Sequence, residues 1–105
     1  MQTEISFNSP TTNADGTPIT EALTFTALID TVNPPVKSYA VPASATIAAG
    51  VVTVTFAQLG FTPVNGTTYF VDVTATDASG TSVPSGEVTF AYAVPPSPPT
   101  GLKVS

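Results

Sequence analysis

Hydrophobic and polar residues alternate along much of this chain. In the segment GTTYFVDVTATDASG, residues 66–80, every second residue from Tyr69 to Ala75 is apolar, and a polar stretch with a glycine follows. A repeat of two residues is the period of a β-strand that buries one face. We therefore expect a strand here with Tyr69, Val71 and Val73 facing the core. The same repeat occurs in TEISF (3–7), EALTFTALID (21–30), VVTVTFAQL (51–59) and GEVTFAYA (86–93). In VKSYAV (36–41) Tyr39 and Val41 follow it but Val36 is out of step, which indicates a bend or bulge near Lys37 or Ser38.

The spacing of turn residues favours short strands over helices. Eleven prolines and seven glycines are spread along the chain, and no segment carries a convincing apolar repeat at helical spacing. We expect almost no helix. Strands with one buried face form antiparallel sheets, because the strands of a parallel sheet are buried on both faces. Two such sheets stacked on their apolar faces make a sandwich, so the predicted fold class is all-β.

The alternation also predicts which side chains fill the core. The expected inward-facing residues of the other strands are Ile5, Phe7, Leu23, Phe25, Ala27, Ile29, Tyr39, Val41, Val52, Val54, Phe56, Val88, Phe90 and Tyr92. Phe70 falls on the opposite face of its strand, and a single exposed aromatic residue usually has no function. The alternative is that Phe70 and Phe61, which lies in the preceding loop, form an apolar patch that contacts a partner.

Composition and charge narrow the possible functions. Only 9% of the residues are charged, and seven acidic residues against two lysines, with no arginine, give a net charge of −5. Nucleic acid is not expected as a partner, because its phosphates require a basic surface. The chain also lacks histidine and cysteine, so the usual bases, nucleophiles and thiolate ligands are missing. We expect no enzymatic activity, no catalytic residue, no cofactor and no metal site.

Targeting and modification motifs are weak. No segment has the length and hydrophobicity of a membrane helix, so membrane insertion is not expected. MQTEISFNSP does not resemble a signal peptide, which indicates either a protein made without one or a piece of a larger protein. Asn13–Gly16 has a faint similarity to a calcium loop and Asn65–Thr67 fits a glycosylation triplet, but both are better interpreted as turns.

Several segments together resemble the fibronectin type III family of immunoglobulin-like domains. Tyr69-x-Val71-x-Val73-x-Ala75, followed by Gly80 and Ser82-x-Pro84-Ser85, is similar to that family's strand F, its F–G turn and the start of strand G. Val36-x-x-Tyr39-x-Val41 looks like strand C, and Val54-x-Phe56-x-x-Leu59 looks like strand E. The resemblance implies a seven-stranded antiparallel sandwich over residues 1–94. It also implies that Tyr69 is buried, with its hydroxyl bonded to upstream backbone.

The chain departs from the family's pattern in two places. The family usually buries a tryptophan in strand B, and this chain has none; the resemblance places Ala27 at that position. The missing volume would have to be filled by Phe25, Phe56 or Phe90, or a cavity would remain. The loop between Leu59 and Tyr69 is also several residues longer than usual, which indicates a divergent microbial or viral member.

Residues 95–105 form a proline-rich arm. PPSPPTGLKVS contains four prolines in its first five residues and then the apolar pair Leu102 and Val104. Proline-rich segments are stiff, extended spacers. One interpretation is a linker with the first strand of a following domain. The other, which we favour, is an arm that adds a strand to the sheet edge of a neighbouring subunit.

The favoured function is a non-catalytic structural protein that interacts with copies of itself or with another assembly subunit. The expected setting is a virion, as a phage head decoration or tail component, with Phe61, Phe70, Leu102 and Val104 as candidate contact residues. The expected structural residues are Tyr39, Phe56, Tyr69, Val71 and Val73. The alternative is a spacer or a carbohydrate- or protein-binding module of a secreted or cell-surface bacterial enzyme or adhesin.

Overall fold

A computed structural model describes residues 1–105 and shows an all-β chain with two antiparallel sheets. Its elements, in chain order, are β1 (Glu4–Asn8), β2 (Thr24–Asp30), β3 (Ser38–Ala40), β4 (Thr46–Ala48), β5 (Val51–Thr55), α1 (Phe56–Leu59), β6 (Thr68–Asp77), β7 (Gly80–Thr81) and β8 (Val88–Ala91). Eight strands are present where seven are expected from the resemblance. The short strands β4 and β7 lie outside the segments in which the sequence repeat is visible.

The first sheet has the strand order β1-β5-β4. β1 pairs with β5 so that Ile5 lies opposite Val54 and Phe7 opposite Val52, which places the apolar side chains of both strands on one face. β4 and β5 form a hairpin that turns at Ala49 and Gly50, with φ of 51° and 80°. Two successive positive φ values match the right-handed twist of the flanking strands, and alanine tolerates this conformation poorly.

The second sheet has the order β3-β2-β6, with β7 and β8 both paired to the far side of β6. β2 and β6 share the longest ladder, which runs from Thr24 opposite Thr76 to Asp30 opposite Phe70. The expected polar turn after β6 is present: Asp77 pairs with Gly80, and the Asp77 carboxylate accepts a hydrogen bond of 2.8 Å from the Ser79 backbone N–H.

The expected strand neighbours are wrong in one respect. The resemblance assigns residues 36–41 to strand C, which lies beside strand F in that fold. In the structure the strand beside β6 is β2, and β3 lies at the sheet edge. The physical reason is strand length: β2 has seven residues and pairs with β6 over all of them, whereas β3 has only three. The Asp30 carboxylate, which accepts hydrogen bonds from the backbone N–H groups of Val36 and Lys37, turns the chain between the two strands, and residues 37–41 then bond along β2.

A short helical turn interrupts the segment expected as a single strand from Val51 to Leu59. β5 ends at Thr55, and α1 follows directly. The Thr55 hydroxyl accepts a hydrogen bond from the Gln58 backbone, and the Gln58 side chain accepts one from the Thr55 backbone. This reciprocal pair is a capping box. Gly60, with φ of 75°, ends the turn and redirects the chain.

Both sheets contribute to one cluster of buried side chains. It contains Ala27, Ile29, Val54, Phe56, Leu59, Phe61, Tyr69 and Val71. Phe61 lies at its centre, edge-on to Phe56 at 5.2 Å, Tyr69 at 5.1 Å and Tyr39 at 5.5 Å between ring centroids. Phe90 stacks on Phe56 and Tyr69. Of the residues expected to replace a tryptophan, Phe25 instead contacts Phe7, and Phe61 from the long loop occupies the centre of the cluster.

Candidate interaction surface

The proline-rich arm leaves the body of the protein at Val94. The Val94 N–H donates a hydrogen bond of 2.9 Å to the Asn65 side chain, and residues 95–105 are all exposed. Leu102 and Val104 are 94% and 98% exposed. The arm makes the molecule long, with a longest dimension of 72 Å and a radius of gyration of 17.7 Å. A compact chain of this length has a radius of gyration of about 13 Å.

An apolar cleft of about 380 Å³ opens between the edges of the two sheets. Ile5 and Phe7 of β1 line one wall, Val88 and Phe90 of β8 line the other, and Val71 and Val73 of β6 form the floor. β1 is a terminal strand of its sheet, and β8 pairs only with β6. Large apolar side chains of both sheets are therefore accessible from this one side of the molecule.

The backbone of β1 can accept a further strand. The Thr3 carbonyl accepts from Phe56 N–H and the Ser9 N–H donates to the Gly50 carbonyl. Because the bonding direction alternates along an antiparallel strand, Glu4, Ser6 and Asn8 point their backbone N–H and C=O groups away from β5. Unpaired edge groups of this kind are a template for pairing with another chain.

The opposite wall of the cleft is irregular. Between β7 and β8 the chain follows β6 without regular pairing, and two serine hydroxyls replace backbone acceptors. The Ser82 hydroxyl accepts from the Ala75 N–H, and the Ser85 hydroxyl accepts from the Val73 N–H, each at 3.0 Å. Gly86 lies in this stretch and lines the cleft, and a Cβ placed on it meets no atom within 4 Å.

The structure separates the predicted contact residues. Phe61 is only 6% exposed, so the expected surface patch of Phe61 and Phe70 does not form. The reason is local: the Phe61 N–H donates to the Phe56 carbonyl at 3.0 Å after the Gly60 turn, which directs its ring inward. Phe70 is half-buried on the outer face of the second sheet. Leu102 and Val104 lie together on the arm and are exposed.

The predicted structural residues lie in or beside the core. Phe56, Tyr69 and Val71 are buried, and Tyr39 and Val73 are half-buried. The Tyr69 hydroxyl accepts a hydrogen bond of 2.8 Å from the Val64 N–H, which is the bond to upstream backbone that the resemblance implies. Val71 and Val73 both line the cleft, and Val73 is the less covered of the two.

Asp72 is a residue whose environment the sequence reasoning missed. It lies on β6 opposite Leu28 of β2, is 6% exposed, and its Oδ1 atom has no hydrogen-bond partner. Alternation places it correctly on the outer face, but outer-face residues are expected to meet water. No sequence pattern reveals that this outer-face carboxylate is buried.

Charges are sparse around the cleft and the arm. Glu4 lies at the cleft, and Lys103 is the one charged residue of the arm. Elsewhere, hydrogen bonds from the Thr17 hydroxyl and N–H lower the pKa of Asp15 below its ordinary value of 3.8. The Thr31 N–H, assisted by those of Val36 and Lys37, lowers the pKa of Asp30 in the same way.

A cluster of metal ligands and a membrane-spanning helix are both absent from the chain. No group of three or more acidic residues, histidines or cysteines is placed to hold a metal ion. None of the helices has the length and hydrophobicity needed to cross a bilayer. The chain matches no protein-family model, no curated protein and no solved structure.

Proposed function

We propose that the chain is a non-catalytic structural subunit that assembles with copies of itself through its sheet edges and its proline-rich arm. We further propose that its two sheets form a fibronectin type III-like sandwich. The assembly we propose is a viral particle of a phage, in which the chain serves as a head decoration or tail component. Such a role requires many identical copies of a small rigid domain.

The observation that carries this proposal is the arm. Two apolar side chains, Leu102 and Val104, are almost fully exposed at the end of a stiff segment that makes no hydrogen bond to the body. Residues two positions apart lie on the same face of an extended strand, so Leu102 and Val104 fit a strand that adds to a sheet edge and packs one apolar face. Burying them against another molecule would contribute about 1.5–3 kcal/mol for each side chain.

The charge of the protein supports close packing of identical copies. Seven acidic and two basic residues are distributed over a surface of 7056 Å², so like-charge repulsion between neighbouring subunits is weak. The free edge of β1 supplies main-chain groups for pairing. A passive mechanism follows: the body supplies a rigid surface, and the arm connects it to the next subunit.

The test is the association state of the full-length chain. Size-exclusion chromatography with light scattering, over a range of micromolar concentrations, should show association that increases with concentration. The double variant Leu102→Ser, Val104→Ser should be monomeric, and the control Ser97→Ala, in the same arm, should associate as the parent does. A parent chain that stays monomeric at every concentration would contradict the proposal.

A second candidate function is a spacer or binding module of a secreted bacterial multidomain protein. The stiff, exposed segment 95–99 is the observation that favours it, because four prolines hold a chain extended. This function requires no self-association. Small-angle scattering from a monomer, with the arm extended at all concentrations and unaffected by Leu102→Ser, would support it over the first.

A further inference from the structure

We propose that residues 100–105 of one copy bind as an added strand beside β1 of a second copy, with Leu102 and Val104 in the apolar cleft. This inference rests on the proposed self-assembly and identifies the acceptor surface, which the proposed function leaves open. The occupant of the cleft is thus the arm of a second molecule of this same chain.

The cleft leaves apolar side chains of both sheets accessible to solvent. The first sheet has three strands, whereas the corresponding sheet of a seven-stranded immunoglobulin-type sandwich has four. β5 covers one side of β1, and the other side borders the cleft. A strand added there would pair with the outward backbone groups of Glu4, Ser6 and Asn8. Its inward side chains would cover Ile5, Phe7, Val88 and Phe90.

The arm has the properties that such a strand requires. Residues 95–99 include four prolines, which have no N–H to donate to a ladder, whereas each residue from Thr100 to Ser105 has one. Leu102 and Val104 share one face of an extended segment. Lys103 then lies on the opposite face, the same side of the sheet as Glu4, so the arm's one charge is complementary to the acidic residue at the cleft.

The geometry of the arm favours binding to the cleft of another molecule over folding back to the cleft of its own molecule. Val94, Pro95 and Pro98 each precede a proline, which restricts them to extended backbone. The stretch 95–99 therefore runs away from the body for about 15 Å at about 3.1 Å per residue. A reversal at Gly101, where φ is 71°, leaves four residues that reach back only about 13 Å. They end near Val94, which does not line the cleft.

Gly86 provides a way to block the cleft without disturbing the body. It lines the cleft, its Cβ position is free of contacts, and its φ is not in the left-handed region. Gly86→Leu should place an isobutyl group where the arm side chains bind, and Gly86→Ala is the matched control with the same backbone change. Thermal unfolding of the two variants at a concentration where each is monomeric shows whether the body is intact.

The experiment measures both association and its location. The chain has no cysteine, so Ser105→Cys provides a unique attachment point for a spin label. Spin-labelled chain is mixed with ¹⁵N-labelled parent chain, and the amides broadened by the label on another molecule are identified by NMR. We expect the strongest broadening at residues 4–8 and 85–90, and much weaker broadening at β3.

The affinity changes give a second, independent result. Leu102→Ser should weaken association about tenfold or more, because a leucine side chain no longer leaves water. Gly86→Leu should weaken it by a similar factor or abolish it, whereas Gly86→Ala and Ser97→Ala should remain within about twofold of the parent, since neither fills the cleft nor removes an apolar contact.

The outcomes separate the two proposals. A parent chain that does not associate overturns both. Association that persists in Gly86→Leu, or broadening centred on β3, β4 or the outer face of the second sheet, overturns the cleft assignment and leaves self-assembly intact. If the ¹⁵N-labelled parent shows no broadening, while a chain that carries both the spin label and ¹⁵N is broadened at residues 4–8 and 85–90, the arm folds back onto its own molecule, and this also overturns the exchange.

Discussion

Replacing Phe61 by alanine tests whether the long loop before β6 is part of the core. The sequence pattern places this residue on the surface, whereas the structure places its ring among Tyr39, Phe56 and Tyr69, with centroid distances of 5.1–5.5 Å. Truncating a buried phenylalanine to alanine costs about 3–5 kcal/mol. Edge-on aromatic pairs contribute about 0.5–1.5 kcal/mol each within such a total.

This loss is large compared with the total stability of the domain. A chain of 105 residues has a free energy of unfolding of about 5–15 kcal/mol. Phe61→Ala should therefore lower the melting temperature by roughly 15–30 °C, since about 4–8 °C is lost for each kcal/mol in a domain of this size. Phe61→Leu retains much of the volume and should cost about 1–2 kcal/mol.

Equilibrium unfolding in urea provides the measurement. The protein has no tryptophan and three tyrosines, so far-UV circular dichroism and tyrosine fluorescence, to which buried Tyr69 contributes, report the transition. Phe70→Ala, on the half-buried outer face, is the matched control and should cost about 1 kcal/mol. Two results would show that Phe61 does not fill the core. One is that Phe61→Ala and Phe70→Ala lower the free energy of unfolding equally. The other is that Phe61→Ala lowers it by less than about 1 kcal/mol with an unchanged denaturant slope. If Phe61→Ala does not fold, the Phe61→Leu series still gives the comparison.

Three further perturbations test other features. Ala49→Asn should stabilise the β4–β5 hairpin by about 0.5–1 kcal/mol, because asparagine tolerates the left-handed conformation that alanine adopts before Gly50; a lower urea midpoint would mean that this turn does not form. Asp72→Thr should raise the free energy of unfolding by about 1 kcal/mol, because it removes a buried, unpaired carboxylate oxygen and improves strand propensity. A loss of stability in urea unfolding would show that the carboxylate has a partner in solution. Acid should destabilise the protein from below about pH 4, because Asp15 and Asp30 have pKa values lower in the folded chain than their ordinary 3.8. The stabilisation from these two carboxylates is present above that value and lost as pH falls through the lowered pKa values. In thermal scans, the melting temperatures of Asp15→Asn and Asp30→Asn should therefore fall less steeply with acid than that of the parent. An equal dependence on pH would exclude these two groups as its source.

Much of the local structure is predictable because strand periodicity is a local property. The alternation in residues 66–80 is sufficient to place Tyr69 and Val71 inside and Phe70 outside, since side chains of a strand alternate whatever lies next to it. The absence of long helices follows from the distribution of proline and glycine. The capping box of Thr55 and Gln58 was also readable, because T-x-x-Q before a glycine is a helix-start pattern, although the apolar alternation of Val52, Val54 and Phe56 hides it.

The neighbours of each strand are decided by the tertiary structure. β2 and β3 both carry acceptable strand patterns, and no local property states which of them pairs with β6. In the structure β2 forms a seven-pair ladder with β6, and β3 pairs only with β2. In the same way, the burial of Phe61 and Asp72 depends on side chains that are distant in sequence.

For the candidate interaction surface too, local sequence patterns determine one part and tertiary packing determines the other. The sequence alone identifies the arm, because a proline run followed by Leu102 and Val104 is a local pattern. The cleft exists only because β1 and β8, which are 80 positions apart in the chain, are edges of two sheets on the same side of the molecule. Periodicity determines which face of a strand is apolar, but packing between distant segments determines whether that face is covered.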